Sequence, residues 1–204
     1  MFIQREFGKI LLFNKRSVLR FKIKRFYNSS KDFQQFYYGL KQIPCPHCKL
    51  IGSLIRHGYL SGYDESIYGK RITRGRRIFC SNRNRRTGCG KTFSLLAANI
   101  LKGFNISANS FWRFLNNITE GMCKIQALRS LNIPFSDSTV YRLFKKFSIG
   151  QSRIRTILLR HCPPLKPSNI HHPAIQTIFH LKSAFNASPC PITAFQQSFQ
   201  TPFL

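Results

Sequence analysis

The chain has 204 residues, and its 33 Lys and Arg against 6 Asp and Glu give a formal net charge of +27 and a sequence pI near 10.7. Self-repulsion of this size brings a solitary globular protein no benefit, so a polyanionic partner is expected, with nucleic acid ahead of an anionic membrane surface. Hydrophobic residues make up 43% of the chain, including 20 Phe, which excludes a disordered basic tail and allows one or two small cores.

Residues 1–40 form a basic and aromatic segment whose apolar runs are far too short to span a bilayer. We interpret this segment as a nucleic-acid-binding arm, partly disordered, or as sequence read through from an upstream start. An amphipathic targeting peptide is the weaker alternative, because the serines that such peptides favour are scarce. No stretch resembles a cleavable secretory signal, so a cytoplasmic protein associated with the nucleoid is expected.

Four cysteines in residues 41–97 have the spacing of a metal site. Two residues separate Cys45 from Cys48, which lets both thiolates reach one ion from a tight turn, whereas eight separate Cys80 from Cys89. Four thiolates complete the tetrahedral shell of Zn²⁺ and leave no open position, which is the arrangement of a structural site. We therefore predict one structural zinc ion. Disulfides are disfavoured, because the chain has 7 cysteines, an odd number, and no secretory signal.

The residues around these cysteines predict a small β zinc ribbon over residues 41–97. Residues 56–75 read as strand, turn and strand, with glycines between them. A further strand runs into Cys80, and residues 92–94 return after the loop that joins the second pair of cysteines. His57 is the alternative ligand, but hydrogen bonding within the ribbon or a nucleic-acid contact is favoured while four cysteines are present.

Residues 98–148 read as three short helices with apolar residues at helical spacing. Ser107 or Ser110 begins the first helix, and Ser136 or Asp137 begins the third. Two helices joined by a short turn, the second with exposed basic residues, are typical of a helix-turn-helix that reads DNA. A generic three-helix bundle with a solvated basic face is the alternative, and the net charge of the chain favours DNA.

The predicted DNA contacts belong to the basic residues of the ribbon and to the polar face of the third helix. The loop arginines suit phosphate contacts, whereas the helix suits base edges in the major groove. The predicted contact residues are Arg74, Arg76, Arg77, Arg83, Arg85, Arg86, Lys91, Ser138, Thr139, Tyr141, Arg142, Lys145 and Lys146.

These motifs resemble the amino-terminal part of bacterial insertion-sequence transposases and their stand-alone relatives. The strings CPHC, LIRHGYL and RGRRIFCSNRNRRTGCGKTFS are followed by a helical trio, and the resemblance covers residues 45–148. In that family a zinc ribbon precedes a helix-turn-helix. The resemblance implies that the four cysteines are the zinc ligands and that residues 90–94 close the ribbon. The eight-residue gap in the second pair of cysteines departs from the commoner short knuckle of the family.

A catalytic core of the transposase kind is not predicted. Such a core cuts DNA with divalent metals that three carboxylates hold, but no Asp or Glu follows Asp137 in this sequence. Residues 149–204 are too few for such a core and are interrupted by prolines. We therefore predict a binding protein without enzymatic activity.

Residues 149–204 are predicted to form a Pro-rich linker and a short helical tail, with helical spacing over 174–185 and a last short turn over 192–199. Cys123 is predicted to be a small buried residue of a helix. The other cysteines and histidines of the tail fit no closed metal pattern, so free thiols and ordinary polar histidines are favoured there. These residues are Cys162, His171, His172, His180 and Cys190.

The sequence as a whole predicts an α+β protein with a basic arm (1–40), a zinc ribbon (41–97), a helix-turn-helix (98–148) and a linker with a helical tail (149–204). The predicted function is zinc-dependent binding of double-stranded DNA, as a remnant or accessory form of a transposase. The alternative is a ribosome- or RNA-associated zinc ribbon, whose cations would be spread over the chain without a separate reader helix. A membrane-surface protein is disfavoured, because it needs one long amphipathic helix.

Overall fold

The computed structural model describes residues 23–164 and 172–204 and has a mixed α+β fold, which confirms the predicted fold class. The predictions for residues 1–22 and for His171 lie outside these residues. In chain order the elements are β1 (Phe26–Tyr27), α1 (Ser30–Tyr38), a 3-10 turn (Leu40–Gln42), β2 (Leu54–Tyr63), β3 (Arg71–Cys80), β4 (Thr92–Ala97), α2 (Ala108–Thr119), α3 (Lys124–Arg129), α4 (Asp137–Leu158), α5 (Pro173–Ala184) and α6 (Pro191–Phe199).

The four strands form one sheet in the order β1-β4-β3-β2. Strands β2 and β3 are antiparallel, as are β3 and β4, so the predicted strand, turn and strand and the predicted return after the second pair of cysteines are both confirmed. The short strand β1 adds to β4 in parallel. Gly75 lets β3 approach β4 closely, because a Cβ at this position would collide with the backbone oxygen of Leu95.

Residues 23–40 supply strand β1 of the sheet and side chains that pack in its core, whereas the sequence predicted them as part of an arm. Ser29 caps α1 by accepting a hydrogen bond from the Asp32 N–H (3.1 Å). The Tyr27 ring on β1 packs against Phe33 and Phe36 of α1, with ring centroids 5.7 and 5.4 Å apart. This aromatic contact closes one side of the cysteine-containing core and was not visible in the mixed apolar and basic pattern of the segment.

Helices α2 to α6 share one hydrophobic core that is separate from the core of the sheet. Ser107 caps α2 by accepting a hydrogen bond from the Ser110 N–H, as predicted, and Ser136 stands at the N-cap position of α4 without a side-chain capping bond. Helix α4 continues past residue 148 to Leu158, so the connection that was predicted from residue 149 starts ten residues later than expected. Among the described residues, no helix is both long enough and apolar enough to cross a membrane.

The predicted tail is part of the helical core. Helix α5 packs along α4, and α6 packs on α2 and on β1. Two of the prolines in this region, Pro173 and Pro191, stand at the first position of α5 and α6, where the missing N–H costs nothing. The Phe203 ring is fully buried and stacks on Phe147 with a centroid distance of 5.9 Å. Gln196 of α6 ties the helices to the residue after β4 by donating from Nε2 to the Ala98 carbonyl oxygen (2.7 Å).

One carboxylate joins the hairpin turn between β2 and β3 to the start of α2. Glu65 accepts hydrogen bonds from the Ser107 N–H (2.6 Å) and from the Ser110 hydroxyl (3.0 Å). A carboxylate at a helix N-terminus satisfies donors that lack helical partners and interacts favourably with the helix dipole. We expect Glu65→Gln to lower the free energy of unfolding by about 1–2 kcal/mol in urea titrations.

The matched control for this prediction is Glu120→Gln. Glu120 is exposed at the other end of α2, so this change alters the net charge equally but removes a negative charge from the unfavourable end of the helix dipole. We expect it to leave stability unchanged or slightly raised. Equal losses in the two variants would contradict the proposed bridge, because they would reflect only the added net charge.

Candidate metal centre and basic surface

The four predicted ligands converge at one point beside the sheet. Cys45 Sγ lies 3.8 Å from Cys89 Sγ, and Cys48 Sγ lies 3.6 Å from Cys80 Sγ. All four sulfur atoms are within 4.8 Å of one another. A tetrahedron with Zn–S bonds of about 2.3 Å has sulfur atoms about 3.8 Å apart. The cluster is therefore at metal-binding distance and is compatible with one structural zinc ion.

Tight backbone turns hold the first pair of ligands. The Lys49 N–H donates to the Cys45 carbonyl oxygen, and the Cys45 N–H donates to the Leu50 carbonyl oxygen, both at 2.9 Å. The His47 N–H points at Cys45 Sγ at 3.4 Å, so it supports negative charge on that sulfur. Lys49 takes a positive φ of 65° to complete the turn. His47 itself is exposed, as the sequence predicted.

The second pair of ligands is held in the same way despite its longer gap. The Cys89 N–H lies 3.3 Å from Cys80 Sγ, and the Gly90 N–H donates to the Cys80 carbonyl oxygen at 2.9 Å. The extra residues leave and rejoin the site at one point, where the Gly88 N–H donates to the Ser81 carbonyl oxygen. A Cβ at Gly88 would collide with that oxygen. The eight residues between Cys80 and Cys89 thus form a loop whose two ends are joined by a hydrogen bond, and the positions of the two ligands are not disturbed.

The surroundings of the sulfur atoms differ in polarity. Cys45 and Cys80 are buried, whereas Cys48 and Cys89 are half-buried. A hydrogen bond from the Leu50 backbone lowers the pKa of the Cys48 thiol to about 7, and burial raises the pKa of the Cys80 thiol to about 12. A shell made of four sulfur ligands suits the site to holding the fold together rather than to chemistry on a substrate.

The other described cysteines and histidines do not join this cluster. His57 is exposed and packs its ring on Phe79, with centroids 5.2 Å apart. No second group of metal-ligating side chains occurs in residues 23–164 and 172–204. His180 instead has Nε2 3.0 Å from the Cys162 carbonyl oxygen. The prediction for Cys123 is wrong: this residue precedes α3 as its N-cap and is exposed, because the helix begins one residue later.

Most of the predicted DNA contacts on the sheet side are exposed, including all three arginines of the cysteine loop. Arg76 is half-buried, with its guanidinium 4.5 Å from the centroid of the Tyr59 ring. Arg74 is the exception, because only 8% of its surface is accessible. Its Nη1 donates to Asn105 Oδ1 at 3.3 Å. The exposed members are Arg77, Arg83, Arg85, Arg86 and Lys91.

The predicted contacts on α4 share one exposed face over its first three turns. Thr139 is half-buried, and the other members of the set are exposed. The opposite face carries the buried residues Val140, Leu143 and Phe147. The exposed members are Ser138, Tyr141, Arg142, Lys145 and Lys146.

The connection between β4 and α2 lines two clefts, one next to the predicted contacts on the sheet and one next to those on α4. A cleft of about 200 Å³ lies between residues 103–106 and the start of α4, where Thr139 and Arg142 line it. A second cleft, of about 450 Å³, lies between the same connection and the sheet, where Arg77 lines it. Lys102 also lines the second cleft and was missed by the sequence analysis, because nothing in a short glycine-containing connection distinguishes a lysine that faces a cleft from a solvated one.

The structure thus contains a sulfur cluster at the sheet and, separately, two clefts with basic lining residues at the connection between β4 and α2. Comparison of the chain with protein-family models, with curated proteins and with solved structures found no match. The resemblance to transposases therefore stays a prediction that rests on the cysteine motifs and the closing string.

Proposed function

We propose that the protein is a zinc-dependent DNA-binding protein, a transposase-like remnant or accessory form without the catalytic core, associated with the nucleoid. The observation that carries this proposal is the pair of clefts on either side of residues 103–105. Arg77 and Lys102 line one cleft, and Thr139 and Arg142 line the other. Cations from the sheet and from α4 thus flank one connection, as a surface that follows a phosphate backbone requires.

In this proposal the sheet and its cysteines act as a zinc ribbon that fixes the loop arginines. Arg83, Arg85 and Arg86 lie on the excursion between Cys80 and Cys89, whose ends are tied to the sulfur cluster. A bound zinc ion would hold the base of the loop while its exposed tip meets phosphate groups. Such contacts add affinity without reading sequence.

In the same proposal α2, α3 and α4 form the helix-turn-helix, with α4 as the reader. Helix α3 packs against both α2 and α4. The connection over residues 130–136 is longer than the usual turn of about 3–4 residues. An ion pair between Arg129 Nη2 and Asp137 Oδ2 (2.7 Å) spans it and holds the start of α4. The polar first turns of α4 are then free to enter a major groove.

The absence of a catalytic core from the proposal is supported by the positions of the acids. Glu65 is bound to the start of α2, Asp137 is paired with Arg129, and Asp64 accepts hydrogen bonds from the N–H groups of its own turn. Each of these three acids therefore has a local structural role. Within the part of the chain that the structure describes, no three carboxylates meet as two-metal cleavage of DNA requires.

An RNA-binding function is the second candidate, and one cluster on the sheet favours it. The Arg76 guanidinium lies among the rings of Phe33, Tyr37 and Tyr59, with centroid distances of 4.5 to 5.1 Å. The Tyr59 ring is 65% exposed. Exposed aromatic rings beside arginine suit stacking of unpaired bases, which duplex DNA does not offer.

Competition binding separates these two functions. The labelled ligand is a random-sequence DNA duplex, and the competitors are the unlabelled duplex and a structured RNA with single-stranded loops, each over a salt series. We expect the duplex to compete more strongly, and affinity to fall linearly with the logarithm of salt concentration. Stronger competition by the RNA, abolished in a Tyr59→Ala variant, would instead assign the protein to RNA.

A further inference from the structure

The larger of the two clefts is strongly cationic. This cavity of about 450 Å³ lies between strands β2, β3 and β4 and the connection that leads to α2. None of the described Asp and Glu residues lines it, and its charged and polar lining side chains are Ser61, Arg74, Arg77, Ser94, Lys102 and Asn105. Three cations converge on one cavity without a described acid in its lining, so the cavity is suited to an anion.

Arg74 is built into this cavity rather than resting on its surface. It is more than nine-tenths buried, and its aliphatic part crosses Gly62 so closely that a Cβ there would collide with Arg74 Cδ. Asn105 accepts from Nη1, but Nη2 has no partner among the described residues. A buried guanidinium nitrogen without an acceptor is costly, and an anionic ligand would offset that cost.

Glu65 acts on Arg74 electrostatically, without an ion-pair contact. Burial, the larger effect, lowers the pKa of Arg74, while Glu65 raises it electrostatically. Both carboxylate oxygens of Glu65 accept from the start of α2, through Ser107 and Ser110. Arg74 is in ion-pair contact with no Asp or Glu of the described chain. The positive charge of Arg74 therefore has no carboxylate in direct contact among the described residues.

Phosphate is the anion whose chemistry fits these residues best. A guanidinium binds phosphate oxygens through two parallel N–H donors, and a flexible lysine adds a point charge. Arg77 and Lys102 are exposed and line the same cavity as Arg74, so they are accessible to an anion that enters it. Ser61 and Ser94 supply hydroxyl donors beside them.

We propose that this cavity binds one phosphate group, and that in the complex with DNA it holds a phosphate of the backbone beside the reader helix. The second half of the statement rests on the proposed function, whereas binding of a phosphate group does not. Arg74 is then a phosphate-positioning residue inside the fold, and Arg77 and Lys102 are the exposed contacts that accompany it.

The first experiment measures DNA binding over a salt series for Arg77→Gln, Lys102→Gln and the matched control Arg113→Gln. Arg113 is exposed on α2 and does not line the cavity, so all three variants carry one positive charge fewer. We expect the slope of log affinity against log salt to fall by roughly 0.9 for each cavity variant, the amount that one neutralised phosphate contributes, and to stay unchanged for the control.

The second experiment uses inorganic phosphate alone and follows the melting temperature at constant ionic strength against chloride. We expect phosphate to stabilise the wild type and the Arg113→Gln variant, and to stabilise Arg74→Gln and Lys102→Gln clearly less. Equal stabilisation of all four proteins would overturn the cavity as a phosphate site, because it would show only the general effect of a kosmotropic salt.

The outcomes separate this inference from the proposed function. If the wild type binds DNA but the cavity variants show the same slope of log affinity against log salt as the control, the inference is overturned and the proposed function stays in place. A wild type that binds no nucleic acid overturns the proposed function, while selective stabilisation by phosphate would still support the cavity as a phosphate site. If Arg74→Gln does not fold, Arg77→Gln takes its place in the second experiment, with the same expected result.

Discussion

Replacing Cys45 or Cys89 by serine is expected to abolish zinc binding and to unfold the sheet. Cys45 is fully buried in the core of the sheet beside Leu54, Ile78 and Leu95, so loss of the ion removes the anchor of this core as well as the loop. Binding of structural zinc to sites of this kind contributes on the order of 10 kcal/mol to folding. Metal analysis together with circular dichroism on the purified variants measures both effects.

The remaining cysteines provide the controls for the metal site. Cys123→Ser, Cys162→Ser and Cys190→Ser are expected to keep one zinc ion per chain, because none of these residues belongs to the sulfur cluster. Trp112, the single Trp of the chain, is buried in the helical core, so its fluorescence shows whether unfolding stops at the sheet. Freshly purified wild type without zinc, or loss of zinc from the Cys162 variant alone, would contradict the assignment.

The cysteine cluster was predictable because a metal imposes a constraint that can be read from spacing. Thiolates that share one ion must meet at one point, whatever the chain does between them. The tight turn after Cys45 follows directly from its two-residue gap. The eight-residue gap between Cys80 and Cys89 does not determine a loop conformation in this way. The loop closes only because Gly88, which lacks a Cβ, tolerates contact with the Ser81 carbonyl oxygen. The fold of the site was therefore visible in the sequence, but the shape of its loop was not.

Helix starts were predicted better than helix ends. Ser107 caps α2 through a local hydrogen bond to the Ser110 N–H, so its effect is present in the sequence. The extension of α4 past residue 148 was missed, because the helix-weakening Gly150 resembles a break. Packing against α5 outweighs that local cost, with the buried Ile154 continuing the apolar face. Contacts between distant segments of this kind are not encoded in local pattern.

The burial of Arg74 was equally hidden from the sequence. It depends on Gly62 in the neighbouring strand and on Asn105 in a later connection, and neither residue has a pattern that points to an arginine. The composition indicated that most arginines contact a polyanion. It gave no means of recognising which arginine is buried in the fold. Arg74, which the sequence predicted as a DNA contact, is therefore found to be buried.

The second large effect is expected from the arginines of the cysteine loop. Arg83, Arg85 and Arg86 are exposed on a loop whose ends are fixed, so we expect them to bind phosphate groups. Replacing all three by alanine should weaken binding to every duplex alike. The slope of log affinity against log salt should fall by roughly 0.9 for each phosphate group that the variant no longer neutralises. Binding measured on several unrelated duplexes over a salt series tests both statements.

Helix α4 supplies the comparison for the loop, because we propose that its polar face meets base edges. A preferred duplex is first selected from a random library with the wild type. Thr139→Ala or Arg142→Ala should then narrow the difference in binding free energy between this duplex and random DNA by about 1–3 kcal/mol for each base that the variant no longer reads. Loop variants that change sequence preference, with α4 variants that change only the salt slope, would reverse the two roles. If the loop variants or the α4 variants lose binding to ribosomal RNA while their DNA binding is unchanged, the result would support the RNA-binding function for both surfaces.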